Sequence, residues 1–197
     1  MRILLGMRGI QERSRQEIDA KLATMGDYVK IDYLQRALSS GLDFDTKKHV
    51  MTILSRLYES KAMYLESARL LRNAADINTT FKAKINDFMK SIELYIKGGN
   101  YSEADFVFQQ TLALATEIEK PGLRTLLKNY YAAEAKNFLR VDKRNQAKKA
   151  YEKLLTLDLS APEKHDVQQQ LLALYEKLGN IRDYFKLKES MNSSFVK

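Results

Sequence analysis

An all-α fold is predicted by three features of the sequence. Apolar residues recur at spacings of three and four in almost every long segment, Gly and Pro number only eight and two, and no stretch alternates apolar with polar residues between turn signals. Hydrophobic residues at 45% and charged residues at 29% are those of a chain that buries a core rather than one that stays disordered.

Taken in order, residues 1–11 carry no clear period and are expected to form a frayed or loosely docked end. From Glu12 the pattern turns helical, with Ile18 and Leu22 four apart. A break at 25–28 precedes Val29, Tyr33, Leu34, Ala37 and Leu38 on one face, and Gly41 is placed as a left-handed cap. Asp45 or Thr46 is expected to cap the next helix, with Phe44 stapled back onto Val50. Its stripe runs Val50, Met51, Ile53, Leu54, Leu57 and Tyr58, and after a turn at 61–64 the return helix carries Leu65, Ala68, Leu71 and Ala75. Residues 78–80 cap a helix with Phe81, Ile85, Phe88, Ile92, Tyr95 and Ile96 on one side.

A break at Gly98-Gly99 follows, and Ser102 with Asp105 reads as a variant capping box for a helix reaching toward Glu119. Pro121 separates that helix from one carrying Leu123, Leu127, Tyr130, Tyr131, Ala135, Phe138 and Leu139. A turn at 142–145 leads to Ala147, Ala150, Tyr151, Leu154 and Leu155. Ser160, Pro162 and Glu163 form the clearest start signal, because Pro in the first turn loses no hydrogen bond and Glu163 can close a box on Ser160. Val167, Leu171, Leu174, Tyr175 and Leu178 follow, then Gly179 and a last helix with Ile181, Tyr184, Phe185 and Leu187. The pattern predicts ten helices and no strand.

Laid over one another, these hairpins match. Tyr58, Tyr95, Phe138 and Tyr175 each close a first helix, and four residues later come Ala62, Gly99, Asp142 and Gly179. Tyr64, Tyr101, Arg144 and Ile181 stand two further on, followed by Ser67, Ala104, Ala147 and Tyr184, then Leu71, Phe108, Tyr151 and Lys188. A small residue lets the two helices of a hairpin approach, and a bulky one fills the gap to the next. The pattern resembles the tetratricopeptide repeat, with Gly99, Tyr101, Ala104 and Phe108 as the closest copy. The likeness covers residues 48–191 as four repeats, with a degenerate fifth at 26–28, in a single repeat domain over 12–191 and a tail at 192–197. It implies a right-handed α-solenoid of stacked antiparallel hairpins. The anchors are spaced 37, 43 and 37 residues apart rather than about 34, which looks more like the SNAP-type and peptide-sensor variants. Lys188 at a bulky position implies that the last helix faces water.

Chemistry is bounded mainly by what is missing. Cysteine is absent, which excludes disulfides, thiolate metal sites and cysteine nucleophiles, and agrees with a cytoplasmic setting. The N-terminal apolar run is too short for a signal peptide, and no stretch approaches the roughly 18–20 apolar residues of a membrane span, so a soluble protein is expected. No phosphate-binding, zinc-protease or nucleophile-elbow motif occurs. His49 and His165, far apart in sequence and both expected in first helical turns, suit capping or solvated roles better than metal binding. No cofactor and no catalytic role are expected.

The tetratricopeptide resemblance implies that first helices line a concave groove for a protein or peptide partner. Its polar positions fall on Arg56, Lys90, Lys97, Asn129, Lys136, Arg140 and Lys177, with Thr52, Glu93 and Gln169 among them. The carboxylate-clamp pattern of chaperone-binding members is not reproduced, since Thr52 and Met89 stand where clamp residues are needed. Net charge is +8, and residues 120–153 hold ten Lys and Arg against three acids. That excess favours a partner with acidic groups. Arg140, Arg144 and Lys148, with Lys149 and Lys153 beside them, form i,i+4 stripes. They offer an alternative reading, in which Arg144, Lys148, Lys149 and Lys153 bind an anionic surface of nucleic acid or membrane. Nucleic acid is the weaker choice, because no aromatic–basic interleaving is clearly exposed and the 37–43 repeat spacing does not fit base-per-repeat readers. Self-association through an open end of the stack is a third reading.

Overall fold

In a computed structural model that describes residues 10–193, ten α-helices follow one another: α1 (Arg15–Leu22), α2 (Asp27–Leu38), α3 (Phe44–Ser60), α4 (Tyr64–Ile77), α5 (Phe81–Lys97), α6 (Tyr101–Leu114), α7 (Lys120–Arg140), α8 (Arg144–Leu155), α9 (Ala161–Lys177) and α10 (Ile181–Ser193). No strand occurs among the described residues. Contacts divide the chain into two compact units, Met1–Ala115 and Thr116–Lys197. In the first unit α2 packs on α3, α3 on α4, α4 on α5 and α5 on α6. In the second, α7 packs on α8, α8 on α9 and α9 on α10. The expected frayed end at 1–11 lies mostly outside the described residues, and of the expected tail at 192–197 the first two residues, Asn192 and Ser193, close α10 instead, while the rest lies outside them. Ile10, however, is buried with Ile18, Leu22, Leu34, Val50 and Leu54.

Four turns are built alike, and the reason is local. Ala62, Gly99, Asp142 and Gly179 all adopt left-handed backbone, with φ of 57°, 75°, 55° and 68°. The next residue's N–H then reaches back five positions, from Met63 to Tyr58, Asn100 to Tyr95, Lys143 to Phe138 and Asn180 to Tyr175, at 2.8–2.9 Å. Inside each loop the left-handed residue's own N–H donates three positions back. This paired bonding satisfies the carbonyls a helix end leaves open and fixes where the chain reverses.

Left-handed backbone costs an L-residue about 1–2 kcal/mol, and glycine almost nothing. Ala62→Gly is therefore expected to raise unfolding free energy by about 1 kcal/mol, and Gly99→Ala to lower it by a similar amount. A Cβ at Gly99 would meet nothing within 4 Å, so urea titration of the two variants reads the backbone term alone. Gly98 serves differently. A Cβ there would stand 2.5 Å from Leu65 Cδ2, so its bare backbone is what lets α5 approach α4.

Equivalent packing follows equivalent turns. The anchors Tyr58, Tyr95, Phe138 and Tyr175 are buried, as are Ser67, Ala104 and Ala147 at 0% exposure and Leu71, Phe108 and Tyr151 beyond them. Lys188 is exposed. The small residues also carry bonds between helices: the Ser67 hydroxyl donates to the Ser55 carbonyl at 2.8 Å, and Ser91 to the Ala68 carbonyl at 2.8 Å. Each anchor tyrosine is tied to the side chain 23 residues earlier. Gln35 donates to Tyr58 at 2.6 Å, Arg72 hydrogen-bonds Tyr95, and Tyr175 donates to Glu152 at 2.9 Å. Gln35 lies on α2, so α2 stands to α3 as α4 stands to α5. The front hairpin is degenerate: α1 has eight residues, and Gly26 caps α2 with φ of −76° instead of making a left-handed turn.

Several expected starts shift. Asp43 caps α3 by accepting from the N–H groups of Asp45 and Thr46, in place of Asp45 or Thr46 themselves. Phe44 thereby becomes the first helical residue, and its ring is 78% exposed rather than stapled to Val50. Asn100, not Ser102, caps α6, because its side chain reaches the Glu103 N–H at 3.3 Å. That helix ends at Leu114, short of Glu119. His49 sits beyond the first turn of α3 and meets Asp19 of α1 at 2.8 Å.

Candidate binding groove

Two adjoining clefts lie within the second unit, between the first helices of successive hairpins. The larger holds about 510 Å³ between α7, α8 and α9. Ala132, Leu139, Tyr151, Leu154, Leu159 and Val167 give it an apolar floor, and Asn129, Gln169 and Gln170 place amides on its walls. Each amide can donate and accept at once, which matches the peptide group of a bound chain. The three are exposed, and no hydrogen bond from their side chains is present among the described residues.

At one end Lys128 of α7 donates to both carboxylate oxygens of Glu163 on α9, at 2.9 and 3.0 Å. Glu163 also accepts from the Ser160 N–H at 2.7 Å and hydroxyl at 2.9 Å. The Lys128 bond first, and those from Ser160 next, hold the Glu163 carboxyl down to about 2. The box expected from Ser160 and Glu163 thus also ties α9 to α7. Lys136 and Asp166 also line the cleft.

The smaller cleft, about 250 Å³, shares Leu139 and Gln170 with the first and adds Asp142, Arg144, Ala173, Leu174 and Lys177. Arg144 donates to Asp142 at 2.8 Å, while Lys177 has no ionic partner among the described residues.

Of the groove residues expected from sequence, Asn129 and Lys136 come to the first cleft, together with Gln169, and Lys177 to the second. Arg140 donates to Asn137 at 2.8 Å beside them. Arg56 is exposed on α3. Lys90 and Lys97 on α5 are held in a chain of ion pairs, in which Lys90 meets Glu59 at 3.0 Å and Glu93 at 3.1 Å and Lys97 meets Glu93 at 2.6 Å and Glu59 at 3.4 Å. Burial alone would raise the Glu93 carboxyl, but hydrogen bonds from Lys97 and Lys90 outweigh it and hold it below the ordinary value. Lys97 is likewise raised by Glu93 and Glu59 against its own desolvation.

The basic stripe is broken. Arg140 ends α7 and Arg144 opens α8, so the spacing of four crosses the left-handed turn at Asp142 instead of following one helix. Lys148, Lys149 and Lys153 do lie together on α8. Sequence reasoning missed Gln170, Asp166 and the Lys128–Glu163 pair; the last joins residues 35 apart, and nothing local signals it.

No group of three or more His, Cys, Asp or Glu side chains suited to a metal occurs among the described residues, and no described helix is long and apolar enough to cross a membrane. No protein-family model matches the chain, and no curated protein matches it.

Proposed function

We propose that the chain is a non-enzymatic protein–protein interaction module, a tetratricopeptide-like right-handed stack of hairpins that presents a preformed groove to a segment of a partner protein. Four identical turns and the recurrent 23-residue tyrosine link support the repeat reading. The observation that carries the function is the cleft between α7 and α9, where amides with no partner among the described residues stand over an apolar floor. A rigid groove spends little ordering entropy when it binds, so modest contacts suffice for recognition. The lack of cysteine suits a cytoplasmic protein. The alternative, an anion-surface adaptor on α8, has less support because Arg144 is already taken by Asp142.

Filling the floor tests this reading without changing charge. Ala132 is half-buried against the cleft, and Ala132→Phe is expected to abolish capture of specific partners while helicity and unfolding stay unchanged. Affinity capture from a lysate with both proteins, compared by mass spectrometry, reads the result. An identical partner set on the two would reject the groove.

A further inference from the structure

A polar cleft of about 350 Å³ lies within the first unit, where α4 meets the turn from α5 into α6. Arg69, Arg72 and Asn73 come from α4, Tyr95 from the end of α5, Asn100 from the turn and Glu103 from α6. Spacings of three and four put Arg69, Arg72 and Asn73 on one face of their helix. Asn100 follows the left-handed Gly99 and caps α6, whose first turn carries Glu103.

Two of the three charges there are already committed. Arg72 Nη1 donates to Glu103 at 2.9 Å, and the guanidinium also hydrogen-bonds Tyr95 and lies 5.0 Å from the centre of the Phe106 ring. The pair cancels, so Glu103 does not repel a second anion as a bare carboxylate would. Arg69 is exposed and has no ionic partner among the described residues. It faces the same spot. Burial raises the Tyr95 hydroxyl most, the Arg72 hydrogen bond opposes that, and the charges of Glu103, Arg72 and Arg69 all act on it.

The amides beside Arg69 are short of acceptors. Asn100 Oδ1 accepts from the Glu103 N–H at 3.3 Å and from the Ser102 hydroxyl at 3.0 Å. That fixes the amide and leaves its Nδ2 group with no acceptor among the described residues. Asn73 is exposed, and its side chain makes no hydrogen bond among them. Together with the Arg69 guanidinium, these groups present many N–H donors and one uncompensated positive charge. A carboxylate supplies what is missing: two oxygens, about four lone-pair positions, a fit to a guanidinium fork, and a single negative charge. A phosphate monoester carries about −1.5 to −2 at pH 7, which would leave negative charge in excess beside Glu103.

We infer that this cleft binds a carboxylate group of a partner protein, with Arg69 holding both oxygens and the side-chain amides of Asn73 and Asn100 donating to them. Arg72 stays on Glu103 and does not meet the ligand. Arg69 and Asn73 stand on the second helix of a hairpin, and the cleft shares no residue with the groove, so the inference does not depend on it.

NMR titration of the full chain, followed on arginine Nε–H and asparagine side-chain amide signals at constant ionic strength, tests this. The probes are N-acetylglutamate amide, which presents a side-chain carboxylate, N-acetylalanine, which presents a chain-terminal one, and methyl phosphate. At least one of the two carboxylates is expected to shift the Arg69, Asn73 and Asn100 signals saturably, and the one that does so identifies the source. Uncharged N-acetylglutamine amide should not. Arg69→Gln weakens that binding about tenfold or more, the loss of a charge-assisted pair of hydrogen bonds. Asn73→Asp does the same by giving Arg69 a partner four residues on. Lys82→Gln, outside the cleft, leaves binding unchanged. All three are exposed changes, with folding checked by circular dichroism. Equal shifts with the glutamine analogue, undiminished binding by Arg69→Gln, or tighter binding of methyl phosphate would overturn the inference. So would shifts spread over surface lysines and arginines, the mark of an adventitious ion only.

Discussion

Replacing Phe108 with Ala is expected to lower the unfolding free energy by about 3–5 kcal/mol, the cost of deleting a buried aromatic ring and leaving its cavity. Phe108 is 5% exposed on α6, at the offset from the anchor where Leu71 and Tyr151 are also buried. Lys188 occupies the same offset in the last hairpin but faces solvent. Lys188→Ala should therefore change stability by under ~0.5 kcal/mol, as surface substitutions do. Urea unfolding followed by circular dichroism measures both. A Phe108→Ala loss below about 1 kcal/mol would mean that the bulky position does not fill a gap between hairpins.

Glu93→Ala should lower stability by about 1–2 kcal/mol. It leaves Lys90 and Lys97 facing Glu59 alone, in a setting where the side chains are 24–40% exposed and solvent still screens them. The pH dependence has a definite sign. The folded Glu93 carboxyl lies below its ordinary value of 4.5, so its contribution is complete above that pH and is lost as pH falls through the folded value. Acid titrations of the wild type and Glu93→Ala should converge toward low pH. A double-mutant cycle with Lys97→Ala should show coupling, and neither change should alter binding of a groove peptide. Equal loss from Glu93→Ala at pH 7 and at pH 3 would contradict this account. The result also sorts the lysines by role. Lys90 and Lys97 hold α5 to α3, whereas Lys136 and Lys177 line the clefts and have no ionic partner among the described residues.

The helices and their turns were legible because their causes are local. Spacings of three and four mark a buried stripe wherever a helix has one, and the residue four after each anchor tyrosine or phenylalanine sets a left-handed turn, even when it is Ala62 or Asp142. Caps were read less well, since Asp43 and Asn100 compete with neighbours of similar chemistry and the winner depends on backbone entry angle. The irregular anchor spacing of 43 was visible, but its origin was not. Relative to the preceding interval, α7 is four residues longer than α5, and the connection before it is two longer, residues 115–119 against 78–80.

The sequence by itself determined an all-helical chain, the places where it reverses and which side chains are buried at each reversal, since each depends on residues within a turn or two of one another. Only the tertiary structure decided which lysines are spent. Lys128 meets Glu163 and Lys90 meets Glu59 across more than thirty residues. The physical reason is that a charge acts on whatever the fold brings within about 4 Å, and that distance is not written in sequence spacing.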